Sequence, residues 1–170
     1  MTTSFVEALA RTEIGATFNQ YAESAVLRER LASYLHERRD APILLVGEAA
    51  GYRGARVSGI PFTSERQLTG AGPAEATATI VHRVLDDLGL ADDVLLWNVV
   101  PTHPGTELSN RPPTRREIDA SAPFLAELAA GRCVIAVGRI AHRRLGGLYI
   151  RHPAHGGAAA FRAGLLTALI

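Results

Sequence analysis

PILLVG, residues Pro42 to Gly47, is an unbroken aliphatic run closed by proline on one side and glycine on the other. A strand with one solvated face alternates polar and apolar residues. This run has no polar position, so it predicts a short strand covered on both faces, the habit of a central parallel strand. VLLWN (94–98), CVIAVG (133–138) and LYI (148–150) repeat the signal, which makes four strands in all. Helical patterns separate them. The spacing predicts helices near residues 4–12 and 18–38, the second carrying Tyr21, Ala25, Leu27, Leu31 and Leu35 at mostly helical intervals. Pro73 to Leu88 places Ile80, Val81, Val84, Leu85 and Leu88 on one face and stops at Gly89. Thr114 and Glu117 in TRRE fit a capping box that opens a helix to about residue 130. RIAHRRLG and AAAFRAGLLTALI predict two more. Strands alternating with helices imply right-handed crossovers, hence an α/β fold: three layers, α/β/α, around a central four-stranded parallel sheet.

The chain has 170 residues, enough for one sizeable core, and is read as a single domain over residues 1–170. No apolar run approaches the ~20 residues that span a bilayer, so no membrane partner is expected. The N-terminus carries Glu7 before any basic residue and lacks a continuous apolar core, which resembles no secretory signal and leads to a cytoplasmic expectation. The lone cysteine, Cys133, excludes an internal disulfide and a four-cysteine metal or iron-sulfur site within one chain. Its place in CVIAV suggests a small buried hydrophobe. All 18 basic residues are arginine, so lysine Schiff-base chemistry is excluded. The net charge of +1 does not announce a nucleic-acid binder, but two arginine clusters stand out: Arg111, Arg115 and Arg116, then Arg139, Arg143, Arg144 and Arg151.

In open parallel sheets, ligands bind beyond the carboxyl ends of the strands. The unusual loops fall there: GEAAGYRGARVSGIPF after the first strand, NVVPTHPGTELSNRPPT after the second and RHPAHGG after the last. Glu48 stands where the first strand gives way to its loop, either orienting a water or substrate group or serving as a solvated loop acid. Glycines 47, 51, 54 and 59 permit positive φ and close approach of backbone to a ligand. With no Gly-Lys-Ser/Thr following, the loop is not a phosphate-binding P-loop. Phe62 follows Pro61 and is either a flat stacking platform or a core ring. Asn98 ends a buried strand, and its amide offers the donor and acceptor needed to read a pyrimidine edge. His152, with Pro153 behind it, is positioned to place an N–H against charge developing on a ligand. His152 and His155 share an H-x-x-H spacing, but no further ligand completes a metal set and no metal is expected.

Together these loops resemble the uracil-DNA glycosylase superfamily. VGEAAGYRGARVSGIPFTSERQL is similar to its first motif, LLWNVVP to its pyrimidine-reading strand, SNRPPTRREI to the Asn-Arg-x-Pro-Thr stretch of the iron-sulfur branch, VIAVGRIA to its third strand and following helix, and RHPAHGG to its His-Pro-Ser motif. The match runs over about residues 42–157 in the expected order. The resemblance implies hydrolysis of the bond between uracil and deoxyribose in DNA, leaving an abasic site for base excision repair. It further implies that Phe62 stacks on the extruded base, that Gly47, Ala49 and Asn98 line its edge, and that His152 donates to the uracil O2. Glu48 positions the attacking water, with Asn110 helping to fix geometry. Ser64, Arg111, Arg151, His155 and Gly156 are the implied DNA contacts. Ala49 stands where the best-known branch has an Asp and Gly51 where it has a Tyr; His155 or Arg151 takes the place of its Leu wedge. Lacking cluster cysteines, the chain resembles a cluster-free relative of the iron-sulfur branch. It is expected to act as a monomer on uracil-containing DNA, to need no cofactor, and not to nick strands through a lysine. The alternatives are a non-catalytic binder of uracil-containing or deaminated DNA and a glycosylase for hypoxanthine or xanthine.

Overall fold

The computed structural model describes residues 2–169. Ile43–Ala49 forms β1, Val94–Val100 β2, Cys133–Val137 β5 and Leu148–Ile150 β6. They build one parallel sheet in the order β2-β1-β5-β6, with Ile43 in register with both Val94 and Cys133. Side-chain alternation sends each strand's residues to two separate cores. Leu44, Val46, Leu95, Trp97 and Val99 meet one helical layer, which includes α1 (Thr2–Arg11), α3 (Ala25–Glu37) and α7 (Arg115–Ala129). Ile43, Leu45, Leu96, Ile135 and Val137 meet α6 (Ala76–Asp87) and α9 (Ala158–Ala168) on the other face. β1 and β2 are apolar throughout their central positions because both faces are covered, as the aliphatic runs predict.

The helical segment expected at 18–38 is two helices, α2 (Gln20–Glu23) and α3, parted at Ser24. The break has a local cause. Asn19 accepts the N–H groups of Tyr21 and Ala22, and Ser24, in extended backbone, accepts that of Leu27, so each helix has its own cap. The helix expected from Pro73 begins at Ala76, with Glu75 as the residue before it. The capping box at Thr114 and Glu117 forms as expected, with the Glu117 N–H donating to Thr114 Oγ1 and the Thr114 N–H to the Glu117 carboxylate. Cys133 is exposed, contrary to the buried role expected of it, because it is the first residue of β5, paired with Ile43 in the sheet but left uncovered, and the strand is buried only from Ile135 onward.

Short elements inside the loops have no counterpart in the sequence patterns. α4 (Ala55–Ser58) and α5 (Glu65–Thr69) interrupt the loop after β1, and a hairpin of β3 (Gly105–Thr106) and β4 (Ser109–Asn110) projects from the loop after β2. The remaining helix, α8 (Arg139–Leu145), joins β5 to β6. Of the glycines 47, 51, 54 and 59, only Gly59 takes a positive φ, +79° at the end of α4. Gly54 holds φ −105° and ψ −120°, outside the regions open to other residues, and Gly47 is glycine for space, since a Cβ there would run into the Phe62 ring.

Candidate active site

The three loops at the carboxyl ends of β1, β2 and β6 converge on one cavity of about 350 Å³. Glu48, Phe62, Asn98, Asn110 and His152, which come from four different segments of the chain, all line it. Ala49 and Arg111 reach its walls too.

Phe62 is buried and holds φ +52°, the left-handed region that a non-glycine residue avoids. The loop around it pins this conformation. Ser58 donates its hydroxyl to the Thr63 carbonyl at 2.6 Å, and Tyr21 donates to the Gly59 carbonyl at 2.9 Å. Gly47 makes room for the ring: a Cβ there would lie 2.8 Å from Phe62 Cε2 and 2.9 Å from Asn98 Oδ1. The Phe62 ring, the Gly47 backbone and the Asn98 carboxamide therefore meet at one point of the cavity. Asn98 is 4% exposed, and its carboxamide bonds to no described residue. Its amide opens onto the cavity, where a ligand or water can pair with it.

His152 sits half-buried just past the carboxyl end of β6, the opposite edge strand of the sheet from β2. Its Nδ1 accepts the Ala154 N–H at 3.2 Å. A backbone N–H only donates, so Nδ1 is the unprotonated nitrogen and the neutral ring carries its proton on Nε2. Burial, assisted by the neighbouring His155, holds the His152 pKa below its ordinary value. The turn that follows is tight. Gly157 donates to the Ala154 carbonyl, and a Cβ on Gly157 would meet that oxygen at 3.0 Å, which explains the glycine in RHPAHGG. Gly156 is exposed with φ +74°, and a Cβ there would meet only open space, while His155, also exposed, holds φ +54°.

Glu48 is half-buried, and burial raises its carboxyl pKa. It makes no bond to a described residue, so its oxygens are available to water or substrate. Asn110 is committed differently. Its Oδ1 accepts the Tyr52 N–H at 2.9 Å, tying the hairpin to the loop after β1 and shaping the rim of the cavity. His103, which no sequence motif singles out, completes that tie: fully buried, it lies 2.7 Å from the Ala50 carbonyl through Nδ1 and 2.8 Å from the Thr106 carbonyl through Nε2.

Two residues expected at the DNA have internal partners. Ser64 is fully buried at the start of α5, where its hydroxyl donates to Gln67 Oε1 at 2.9 Å. Arg111 forks onto Glu117, at 2.5 and 2.9 Å, and the carboxylate is 1% exposed. Arg151 and His155 fare otherwise. They line a groove that continues from the cavity, shares Glu48, His152 and Ala154 with it, and adds Arg139 and Arg143. None of those three arginines makes an ion pair with a described residue, whereas Arg144 pairs with Asp119. Among the described residues there is no group of three or more histidine, cysteine or acidic side chains able to hold a metal. No helix among them is long and apolar enough to cross a membrane.

The fold and the site define a class: a doubly wound α/β protein whose carboxyl-end pocket offers a flat ring, a free carboxamide, an oriented imidazole and a carboxyl, beside an arginine-lined groove. Within that class, a model of the Uracil DNA glycosylase superfamily matches residues 35–166, and the chain belongs to that superfamily. The superfamily's members are DNA glycosylases. Among solved structures, the crystal structure of wild-type Pedobacter heparinus SMUG2 superposes with a TM-score of 0.71 at 13% identity, over 99% of this chain and 96% of that one. Comparison with curated proteins finds no match.

Proposed function

We propose that the chain is a monofunctional uracil-DNA glycosylase of base excision repair, releasing uracil from DNA and leaving an abasic site. The observation that carries this reading is the unpartnered carboxamide of Asn98, open to the cavity beside the Phe62 ring, with the Nε2–H tautomer of His152 in the same cavity. An amide donor and acceptor beside a stacking face suit the N3–H and O4 of an extruded uracil. Extrusion costs a few kcal/mol, which stacking on Phe62 and the arginine-lined groove offset.

In the reaction, the C1′–N1 bond breaks and its electron pair leaves with the base. Negative charge gathers on the uracil O2, where the His152 N–H donates to it. A neutral imidazole suits this role, because its hydrogen bond strengthens as charge develops while the ground state is barely affected. Water adds its oxygen to C1′, and ionised Glu48 orients that water and takes up its proton. Asn110 holds the rim through Tyr52 and is a positioning residue. With no lysine in the chain, the abasic strand is left unbroken.

Labelled oligonucleotides carrying uracil, thymine opposite guanine, hypoxanthine or xanthine test the reading. Strand scission of the uracil substrate only after alkali is the expected result. Release of hypoxanthine or xanthine in preference to uracil would replace the substrate, and tight uracil-DNA binding with no release would make the protein a recognition module.

A further inference from the structure

One exposed aromatic ring in the arginine-lined groove has no part in the proposed reaction. β6 is an edge strand of the sheet, and alternation sends its Ile150 into the core with α6 and α9 while Tyr149 points to the other face. There α8 supplies a backing: the His142 ring lies 5.1 Å from the Tyr149 ring, centroid to centroid, at 53°. The tyrosine is still 43% exposed, and its hydroxyl bonds to no described residue. Arg139, Arg143 and Arg151 line the same groove, yet none of the described arginines lies over this ring. The ring is propped from within by His142 and presents its remaining surface to the groove.

The groove joins the base cavity through Glu48, His152 and Ala154. Tyr149 precedes His152 by three residues, no more than ~11 Å of extended chain, so a nucleotide bonded to the extruded one can reach the ring. Free guanidiniums beside an open aromatic surface suit an unpaired strand of nucleic acid, because the cations meet its phosphates and every base offers a π-face. We infer that Tyr149 is a stacking platform for the base next to the extruded one, which makes the groove a second nucleotide subsite. Stacking of this kind adds affinity without reading sequence, since any of the bases can lie on the ring. The inference rests on the reading of the cavity as the seat of an extruded base.

The test couples a change in the protein to a change in the strand. Fluorescence anisotropy follows binding of single-stranded oligonucleotides with a non-cleavable abasic analogue at the target position. One strand keeps all its other bases; in two more, the base on the 5′ or the 3′ side of the target is deleted while its sugar and phosphate stay. For the wild type, deletion on one side is expected to weaken binding on the order of 10-fold, and on the other side far less. Tyr149→Ala should weaken binding to the intact strand by the same factor and become indifferent to that deletion. Tyr149→Phe, which keeps the ring, should behave as the wild type. The phosphates are the same in every strand, so a merely structural role for Tyr149 would weaken binding to all of them alike. Tyr149→Leu, apolar but without a ring, carries the test if Tyr149→Ala does not fold. A wild type that binds none of the strands or ignores both flanking bases, or a ringless variant still weakened by the deletion, would overturn the inference. Base release is followed on the same sequences with uracil at the target. A wild type that shows the coupling yet releases no uracil leaves the subsite standing and overturns the substrate reading instead.

Discussion

The backbone N–H of Ala154 donates to Nδ1 of His152, and this one bond selects the imidazole tautomer at the site. Heteronuclear NMR is expected to show His152 protonated on Nε2 at neutral pH, with a titration midpoint below 6.5. His155→Ala removes a neighbouring positive charge and should move that midpoint upward. The folded protein holds this proton less tightly than the unfolded chain does. The stability His152 contributes is therefore complete above 6.5 and is lost as pH falls from there toward its folded value. His152→Ala is expected to slow single-turnover base release by about 10²- to 10³-fold.

Glu48→Gln keeps the shape of the side chain and removes its capacity to take a proton. A loss of about 10²- to 10⁴-fold in single-turnover rate is the expected effect of deleting a general base. Because burial raises the Glu48 pKa above 4.5, the wild-type rate should fall on the acid side at a pH above that value. A Glu48→Gln profile with the same acid limb and an unchanged rate would move the water-handling role to another group.

The Arg111–Glu117 pair is a stability device at the foot of the site. Its carboxylate is 1% exposed, and the Arg111 guanidinium holds the Glu117 pKa down at about 2. Arg111→Ala strands that charge and is expected to cost about 2–3 kcal/mol in urea unfolding, below the range for fully buried pairs because the guanidinium is 35% exposed. The wild-type pair's contribution is present above pH 4.5 and is lost as pH falls toward 2. An Arg111→Ala protein as stable as the wild type would mean that the fork contributes nothing net.

Arg139, Arg143 and Arg151 are free to meet phosphates along the groove beside the cavity. Each Arg→Ala change is expected to weaken binding of abasic duplex, measured by fluorescence anisotropy, and to reduce the slope of log K against log salt by roughly 0.9 for each phosphate no longer neutralised. Substitution of Arg144, already paired with Asp119, should leave the slope nearly unchanged.

Cys133, exposed at the first residue of β5, should react fully with a thiol reagent in the native protein, without the lag that global unfolding would impose. Protection until denaturation would place it back in the core.

The parallel sheet was legible because the aliphatic runs of β1 and β2 are continuous, and continuity follows from being covered on both faces. The capping box at Thr114 and Glu117 was legible for a similar reason, since its partners are three residues apart. The same locality misled at Cys133, where the apolar run includes a strand end that is paired in the sheet but left uncovered. It misled again at Ser24, where a cap interrupts an otherwise helical spacing.

What the sequence determined by itself is the succession of strands and helices, the rim of the sheet where the loops gather, and the types of side chain delivered there. Hydrophobic period and capping chemistry act over a few residues, and so they can be read from a few residues. Only the tertiary structure decided which of those side chains are free. Arg111 and Ser64 are engaged by Glu117 and Gln67, Asn98 and Glu48 are left unpartnered, and Glu75, unremarkable in its own segment, is seated over Gly51 and Gly54 from more than twenty residues away. Contacts of that kind depend on which loops the assembled sheet brings together, and no local pattern records them.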